Sequence, residues 1–199
     1  MKYERPKKRR PYRMSARAEA SKATGDRVLE AATRLFGARP YDDVSLDDVA
    51  VEAGVTVQTL LRRHGSKEGL VDAAAALGLE QVRSARSEAE VGDLAAAIAN
   101  LSEHYEAWGE RSLRFLAQEE RVPAMRRVTD AGRALHRAWV ERVFAPWIAR
   151  RRGAARTRLS AQLVAITDVY VWKILRRDRG LDAAATRRAL HELVESIVD

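Results

Sequence analysis

The side chains best suited to read a nucleic acid are concentrated in one run, TVQTLLRRHGSK, at residues 56–67. Gln58 can form two hydrogen bonds with an adenine edge, and Val57 can contact a thymine methyl group. Arg62 lies one helical turn later, where it can reach a guanine or a phosphate, whereas Arg63 suits the DNA backbone. An ordinary exposed helix face is the alternative for each residue. The candidate DNA-contacting residues are Ser45, Thr56, Val57, Gln58, Thr59, Arg62, Arg63 and Lys67.

Two short helices joined by a tight turn are predicted to position these side chains. Ser45 suits the N-cap of the first helix, and Asp48 completes a capping box. Gly54 stands where the chain turns, because glycine reaches positive φ without steric cost. Thr56 is the expected cap of the second helix. One buried face is predicted from the helical spacing of Leu46, Val49, Ala50 and Ala53. This pattern is typical of a helix-turn-helix, whose second helix enters the DNA major groove, although plain helical hairpins share it.

The same stretch resembles the TetR family of transcriptional regulators. The run GVTVQTLLRRHGSKEGL is similar to the family signature, in which a Gly-Val-Ser/Thr turn precedes Thr-Leu-Tyr-x-x-Phe and Ser-Lys-Glu-x-Leu. RVLEAATRLFGARPYDDVS resembles the family's first helix, so that the resemblance covers about residues 24–70. It implies an all-α protein that binds DNA and pairs through a four-helix bundle. It also implies a small-molecule effector, and repression is the family's usual behaviour.

Two positions depart from the family pattern. The usual Tyr, which contacts a phosphate, is Leu61 here, so that hydrogen bond is absent. The usual core Phe is His64, which we expect to pack as a smaller aromatic ring with one nitrogen satisfied. Direct contact with DNA is the alternative for His64. The effect of both departures on DNA binding is left open.

Composition restricts the class of protein further. The chain has 199 residues, no cysteine and a net charge of +8. Residues 1–27 contain ten Lys/Arg against three Asp/Glu, which is most of that excess. We interpret residues 1–20 as a basic arm, disordered without DNA, that follows phosphates or a minor groove; a solvated tail is the alternative. No membrane span, membrane partner or secretory signal is expected, and the absence of cysteine is compatible with the cytoplasm.

The remaining domains are predicted to be helical throughout. Residues 21–70 form the helix-turn-helix domain, with a first helix from about Thr24 to Phe36, and residues 71–199 form the C-terminal effector-binding and dimerisation domain. We expect an interruption at Gly109, a helix from about Thr129 to Arg152 that Pro146 kinks or splits, and a continuous helix from Arg156 to Arg177. The two last helices carry more apolar surface than one subunit needs, which favours a homodimer. Completion of an intrachain core is the alternative.

Aromatic and histidine side chains in the C-terminal domain suggest a pocket for an unidentified small molecule. Ordinary core packing explains aromatic residues at helical spacing equally well. The candidate ligand-binding residues are His104, Tyr105, Trp108, His136, Trp139 and Tyr170.

These patterns favour a DNA-binding transcriptional regulator, specifically a ligand-responsive repressor that binds a palindromic operator in double-stranded DNA as a homodimer. A nucleoid-type protein that binds DNA non-selectively through its basic arm, without an effector, is the alternative. Catalysis is not expected, since the sequence has no nucleophile–base spacing and no phosphate-binding glycine loop. No cofactor or metal site is expected either, because the histidines are isolated on helices.

Overall fold

The computed structural model describes the backbone of residues 10–198 and the side chains of residues 18–198. Every regular element in that range is helical, which confirms the predicted all-α class. A π-helical turn follows α9 at Ile174–Asp178. The α-helices are α1 Arg10–Ala38, α2 Leu46–Ala53, α3 Val57–His64, α4 Lys67–Ser87, α5 Leu94–Leu116, α6 Pro123–Val143, α7 Ala145–Ala149, α8 Gly153–Ile166, α9 Val169–Lys173 and α10 Ala183–Val198.

The chain divides into two compact units, of which the N-terminal unit ends at Ala74 and the C-terminal unit begins at Ala75. The sequence placed this division after Leu70. The N-terminal unit contains α1 to α3 and the first turns of α4. Its core is built from buried apolar side chains of all four helices and of the α1–α2 loop: Val28, Ala32, Phe36, Val44, Val49, Ala53, Leu60 and Leu70.

The first helix begins well before its expected start near Thr24. It starts at Arg10, so that residues 10–20 are helical and the prediction of a disordered arm is wrong for them. Pro11 lies in the first turn, where proline costs no hydrogen bond, and the following stretch is rich in alanine, the best helix former. Residues 1–9, the rest of the predicted arm, lie outside the described part of the chain.

The C-terminal unit packs its helices around one continuous aromatic and aliphatic core. Its largest fully buried side chains include Trp172, Phe144, Ile98, Leu101, Leu163 and Leu190. Helix α5 runs through Gly109, where we expected an interruption. A Cβ at Gly109 would lie 2.5 Å from a carbon of the Trp172 ring. Glycine therefore serves here to admit the indole and not to end the helix.

Two prolines and one aspartate set helix boundaries in the C-terminal unit. Pro123 is the first residue of α6, so this helix starts before the predicted Thr129. Pro146 lies in the first turn of the short helix α7, after a break at Phe144, as the predicted split required. The expected helix from Arg156 to Arg177 is interrupted, because the Asp168 carboxylate caps α9 by accepting the Tyr170 N–H at 3.0 Å. None of the described helices is long and apolar enough to span a membrane.

Candidate nucleic-acid interface

The first helix of the pair is fixed by a reciprocal cap at Ser45. The Ser45 hydroxyl accepts the Asp48 N–H at 3.0 Å, and the Asp48 carboxylate accepts the Ser45 N–H at 2.9 Å. The bond from the Ser45 N–H lowers the pKa of Asp48 below its ordinary value, so this carboxylate stays ionised. The predicted capping box is present. Ser45 is exposed beside it, at the positively polarised end of α2.

The turn between α2 and α3 depends on the backbone of Gly54. This residue has φ 65° and ψ 41°, the left-handed conformation that glycine adopts without cost. Its N–H points to the carbonyls of Ala50 and Val51, and the Val55 N–H donates to the Ala50 carbonyl at 2.9 Å. The chain thus leaves α2 in a fixed direction and enters α3 after two residues.

Helix α3 has one buried and one exposed side. The Thr56 hydroxyl caps it by accepting the Thr59 N–H at 3.3 Å, and the two threonine hydroxyls are 3.0 Å apart. Leu60 is buried, while Gln58 and Arg62 are exposed one turn apart. Neither Gln58 nor Arg62 has a hydrogen-bond or ion-pair partner among the described residues. Val57 is half-buried. The exposed side of α3 therefore offers one amide and one guanidinium to an external partner.

Arg63 contacts its own unit. Its Nη2 donates to the Ser21 carbonyl and to the Ser21 hydroxyl, each at 2.8 Å. These bonds fasten the end of α3 to α1. The predicted contact of Arg63 with the DNA backbone would use the other N–H groups of the guanidinium, and it stays a prediction.

Lys67 is likewise engaged by a neighbour. Its ammonium donates to the Tyr41 carbonyl at 2.6 Å and lies 4.0 Å from the centre of the Tyr41 ring. Burial lowers the pKa of Lys67. The lysine thereby holds the loop between α1 and α2, and its predicted contact with a phosphate stays a prediction.

The two departures from the family pattern lie on different sides of α3. Leu61 is 42% exposed, so an apolar side chain stands where the family has a phosphate-binding Tyr. His64 is half-buried, and its Nε2 has no hydrogen-bond partner among the described residues. Burial lowers the pKa of His64, which favours the neutral ring. At neutral pH this histidine adds no charge to the exposed side of α3.

Four of the six candidate ligand-binding residues lie in one cluster of the C-terminal unit. The Tyr105 hydroxyl donates to the Thr167 carbonyl at 2.8 Å, and His136 Nε2 lies 3.2 Å from the Thr167 hydroxyl. Trp139 is stacked on His136 with ring centres 6.1 Å apart, and His104 lies 5.1 Å from Tyr105. The cluster is largely buried.

The other two candidates lie elsewhere. Trp108 packs under the Arg111 guanidinium, 4.4 Å from the ring centre. Tyr170 is 51% exposed and lines a surface groove of about 650 Å³, together with Arg137, Glu141, Ser160 and Val164. These two residues therefore do not join the buried cluster.

Sequence reasoning missed Arg86, which lies inside that cluster. Its guanidinium is 4.2 Å from the centre of the Trp139 ring, and its Nη1 is 3.3 Å from His136 Nδ1. Arg86 follows Val82 by four residues on α4, and both side chains are buried. This helical spacing places Arg86 on the same face as Val82, which is the signal in the sequence, although arginine is usually exposed.

No metal centre is indicated in the described part of the chain, which holds no group of three or more His, Asp or Glu side chains able to share an ion.

A capped helix-turn-helix that is followed in the chain by a second helical unit is typical of DNA-binding regulators. Residues 28–74 match the model of the family of bacterial regulatory proteins called tetR. The chain is 42% identical over 66 residues to the HTH-type transcriptional regulator AlkX of Mycobacterium tuberculosis. That segment covers 33% of this chain and 29% of AlkX, so the match spans less than a third of the relative's length.

Solved structures share the fold over most of the chain. A transcriptional regulator from Rhodococcus sp. Rha1 has a TM-score of 0.68 at 17% identity, covering 87% of this chain and 95% of that one. A TetR-family regulator from Streptomyces coelicolor has a TM-score of 0.51 at 21% identity, covering 96% of this chain and 98% of that one. The family-model match confirms the resemblance to the TetR family over residues 28–74, and the solved structures show that the chain shares their fold.

Proposed function

We propose that the chain is a cytoplasmic, sequence-selective repressor that binds a palindromic operator as a homodimer and responds to a small molecule bound in its C-terminal unit. The observation that carries the proposal is the exposed side of α3. There Gln58 and Arg62 have no partner among the described residues, while Leu60 anchors the opposite side in the core. Polar side chains on a rigidly capped helix suit direct reading of base edges.

Each candidate residue receives a role from its surroundings. Gln58, Val57 and Arg62 contact bases or, for Arg62, a neighbouring phosphate. Ser45 and Thr56 stand at helix N-termini, where backbone N–H groups and hydroxyls favour phosphates, and Thr59 adds a hydroxyl beside Thr56. Arg63 and Lys67 position α3 and the α1–α2 loop, with their remaining donors directed to the DNA backbone.

Pairing of two chains is supported by apolar side chains that the C-terminal unit leaves in solvent. Tyr170, Ile174 and Leu193 are 51%, 50% and 39% exposed. Burial of such residues against a second copy would stabilise a dimer. A two-fold dimer presents two α3 helices, and this geometry matches a palindromic site with half-sites about one DNA turn apart.

Selection of binding sites from random DNA by the full-length protein tests the proposal. We expect an enriched inverted repeat, and a loss of discrimination of about 1–3 kcal/mol at individual base pairs in Gln58→Ala and Arg62→Ala. Arg83→Ala, which removes the same charge from an exposed site in the C-terminal unit, is the control and should leave affinity and selectivity unchanged. Equal weakening on all sequences in the two α3 variants would reject base reading by α3.

The same selection separates the regulator from a non-selective binder. The proposed repressor enriches one sequence, whereas a protein that binds only through its basic N-terminal residues enriches none and loses affinity steeply with salt. Truncation of residues 1–9 in the full-length background should reduce the salt dependence without changing the selected sequence.

A further inference from the structure

Arg86 is a buried cation without an acidic partner. It is 4% exposed, and no Asp or Glu among the described residues forms an ion pair with it. Burial lowers the pKa of Arg86 to about 10, so it stays charged at neutral pH. A buried charge is costly unless another group compensates it. The Trp139 ring under the guanidinium compensates this charge only in part.

The orientation of Arg86 is set by a neutral histidine. His136 Nε2 is 3.3 Å from the Val164 carbonyl, which can only accept, so Nε2 carries the proton. The other nitrogen of the neutral ring, Nδ1, is then an acceptor and receives the Nη1 N–H of Arg86 at 3.3 Å. Burial and the Arg86 charge lower the pKa of His136 to about 4, which keeps the ring neutral.

The opposite edge of the Arg86 guanidinium has no hydrogen-bond acceptor among the described residues. Nε and Nη2 of Arg86 are both buried and have no hydrogen-bond partner among the described residues. Nε1 of Trp139, whose ring the guanidinium covers, is also a buried donor without a partner. Nε and Nη2 form the edge whose two parallel N–H groups match the two oxygens of a carboxylate. Three unsatisfied donors and no acceptor therefore belong to one contacting pair of side chains.

The surroundings of this edge favour an anion with an apolar body. Arg142 donates to the carbonyls of Arg86 and Ala89, each at 2.9 Å, and adds positive charge without neutralising Arg86. Trp139 and Tyr105 supply buried aromatic surface. Burial lowers the pKa of His104 to about 3, so this ring is also neutral and adds no repulsion or attraction of its own.

We propose that the Nε–Nη2 edge of Arg86, with Trp139 Nε1, is the receptor for the carboxylate of the effector, which is a small monocarboxylic acid with an apolar body. The proposal rests on the ligand-responsive function given above and adds the chemical class of the ligand. It also explains why an arginine is buried without an acidic partner: the acid arrives with the effector.

The test compares straight-chain alkanoates, from acetate to decanoate, with the primary alcohols of the same length on the full-length protein. We expect the best acid to bind at least about ten-fold more tightly than its alcohol in calorimetric titrations. Arg86→Met removes the donors and the charge and should abolish this preference by lowering the affinity for the acid to that for the alcohol. Arg188→Met, at an exposed position of α10 without a partner among the described residues, is the matched control and should retain the preference.

Thermal unfolding separates this role from a structural one. Since Arg86 lacks an acidic partner, Arg86→Met should unfold at the same or a higher temperature than the unliganded wild type. Arg86→Lys keeps the charge without the paired edge, so its affinity for the acid should fall between those of the wild type and Arg86→Met. Three results would overturn the inference: equal affinity for acid and alcohol, no acid bound at millimolar concentration, or a preference that survives in Arg86→Met. The free donors would then hold buried water only.

Binding to the selected DNA is measured in parallel and keeps the two proposals distinct. Selective DNA binding without any carboxylate preference removes this inference and leaves the DNA-binding proposal intact. If the protein selects no DNA sequence but prefers acids in an Arg86-dependent way, the carboxylate site is supported and the DNA-binding proposal is rejected.

Discussion

The two units differ in where most of their unpaired polar side chains lie. In the N-terminal unit the caps at Ser45 and Thr56 satisfy the backbone locally, and the unpaired side chains of Gln58 and Arg62 stand in solvent, although His64 Nε2 is buried without a partner. In the C-terminal unit the unpaired donors of Arg86 and Trp139 are buried. An exposed donor is hydrated and costs little, whereas a buried donor without a partner costs about 1–3 kcal/mol. The first unit therefore leaves hydrated groups available to an external partner, and the second leaves buried donors that the proposed carboxylate would satisfy.

The N-terminal unit should depend for its stability on apolar packing and not on its polar surface. Leu60 is 1% exposed and its neighbour Leu61 is 42% exposed, which provides a matched pair. We expect Leu60→Ala to lower the free energy of unfolding by about 2–5 kcal/mol. Leu61→Ala should change it by less than about 0.5 kcal/mol. Denaturant unfolding measures both, and similar losses in the two variants would contradict the burial pattern of α3.

The buried polar cluster should make the C-terminal unit sensitive to acid. The pKa of His136 is lowered to about 4 and that of His104 to about 3, mainly by burial, from the ordinary value of 6.5. The unfolded chain therefore binds protons first as the pH falls. Stability is complete above about pH 6.5 and decreases by a few kcal/mol as the pH falls toward 4.

Unfolding measured between pH 7 and pH 4 checks this sign. His136→Gln should show a shallower loss than the wild type, and His191→Gln, at a partly exposed site on α10, should follow the wild type. An acid dependence that is unchanged in His136→Gln would show that this ring does not stay neutral in the folded protein.

The smallest effect is expected at the caps, which act on single helix ends. Ser45→Ala removes the acceptor for the Asp48 N–H and should cost about 1 kcal/mol. Ser45→Asp restores an acceptor at the same position and should recover most of that loss. Thermal unfolding of the two variants provides the measurement. An unaffected Ser45→Ala variant would mean that solvent replaces this hydroxyl without cost.

Features that depend on neighbouring residues were predicted from the sequence, and features that depend on distant residues were not. Local signals determine α2 and α3: a capping box, a glycine turn and a threonine cap act within a few residues, so the sequence predicts them correctly. The start of α1 was missed because the dense positive charge and Pro11 indicated disorder, whereas the alanine-rich stretch after Pro11 is helical. The role of Gly109 was missed because its partner, Trp172, is distant in sequence.

Arg86 shows the same limit in the functional site. The residue type did not mark Arg86 as a candidate, since arginine is seldom buried. Its partners, Trp139 on α6 and His136 one turn earlier, lie about fifty residues further along the chain. Only the contacts between α4 and α6 in the structure show that the Arg86 guanidinium is buried. The aromatic candidates around it were found from composition, but the charged group that gives the cluster its chemistry was not.

A footprint of the full-length protein on the DNA that it selects tests base reading by paired α3 helices. We expect two protected half-sites of the same sequence, related by a two-fold axis and centred about 34–36 Å apart or a multiple of that distance, with Gln58→Ala weakening both equally. A single protected patch, or uniform protection without sequence preference, would contradict the reading of DNA by paired α3 helices.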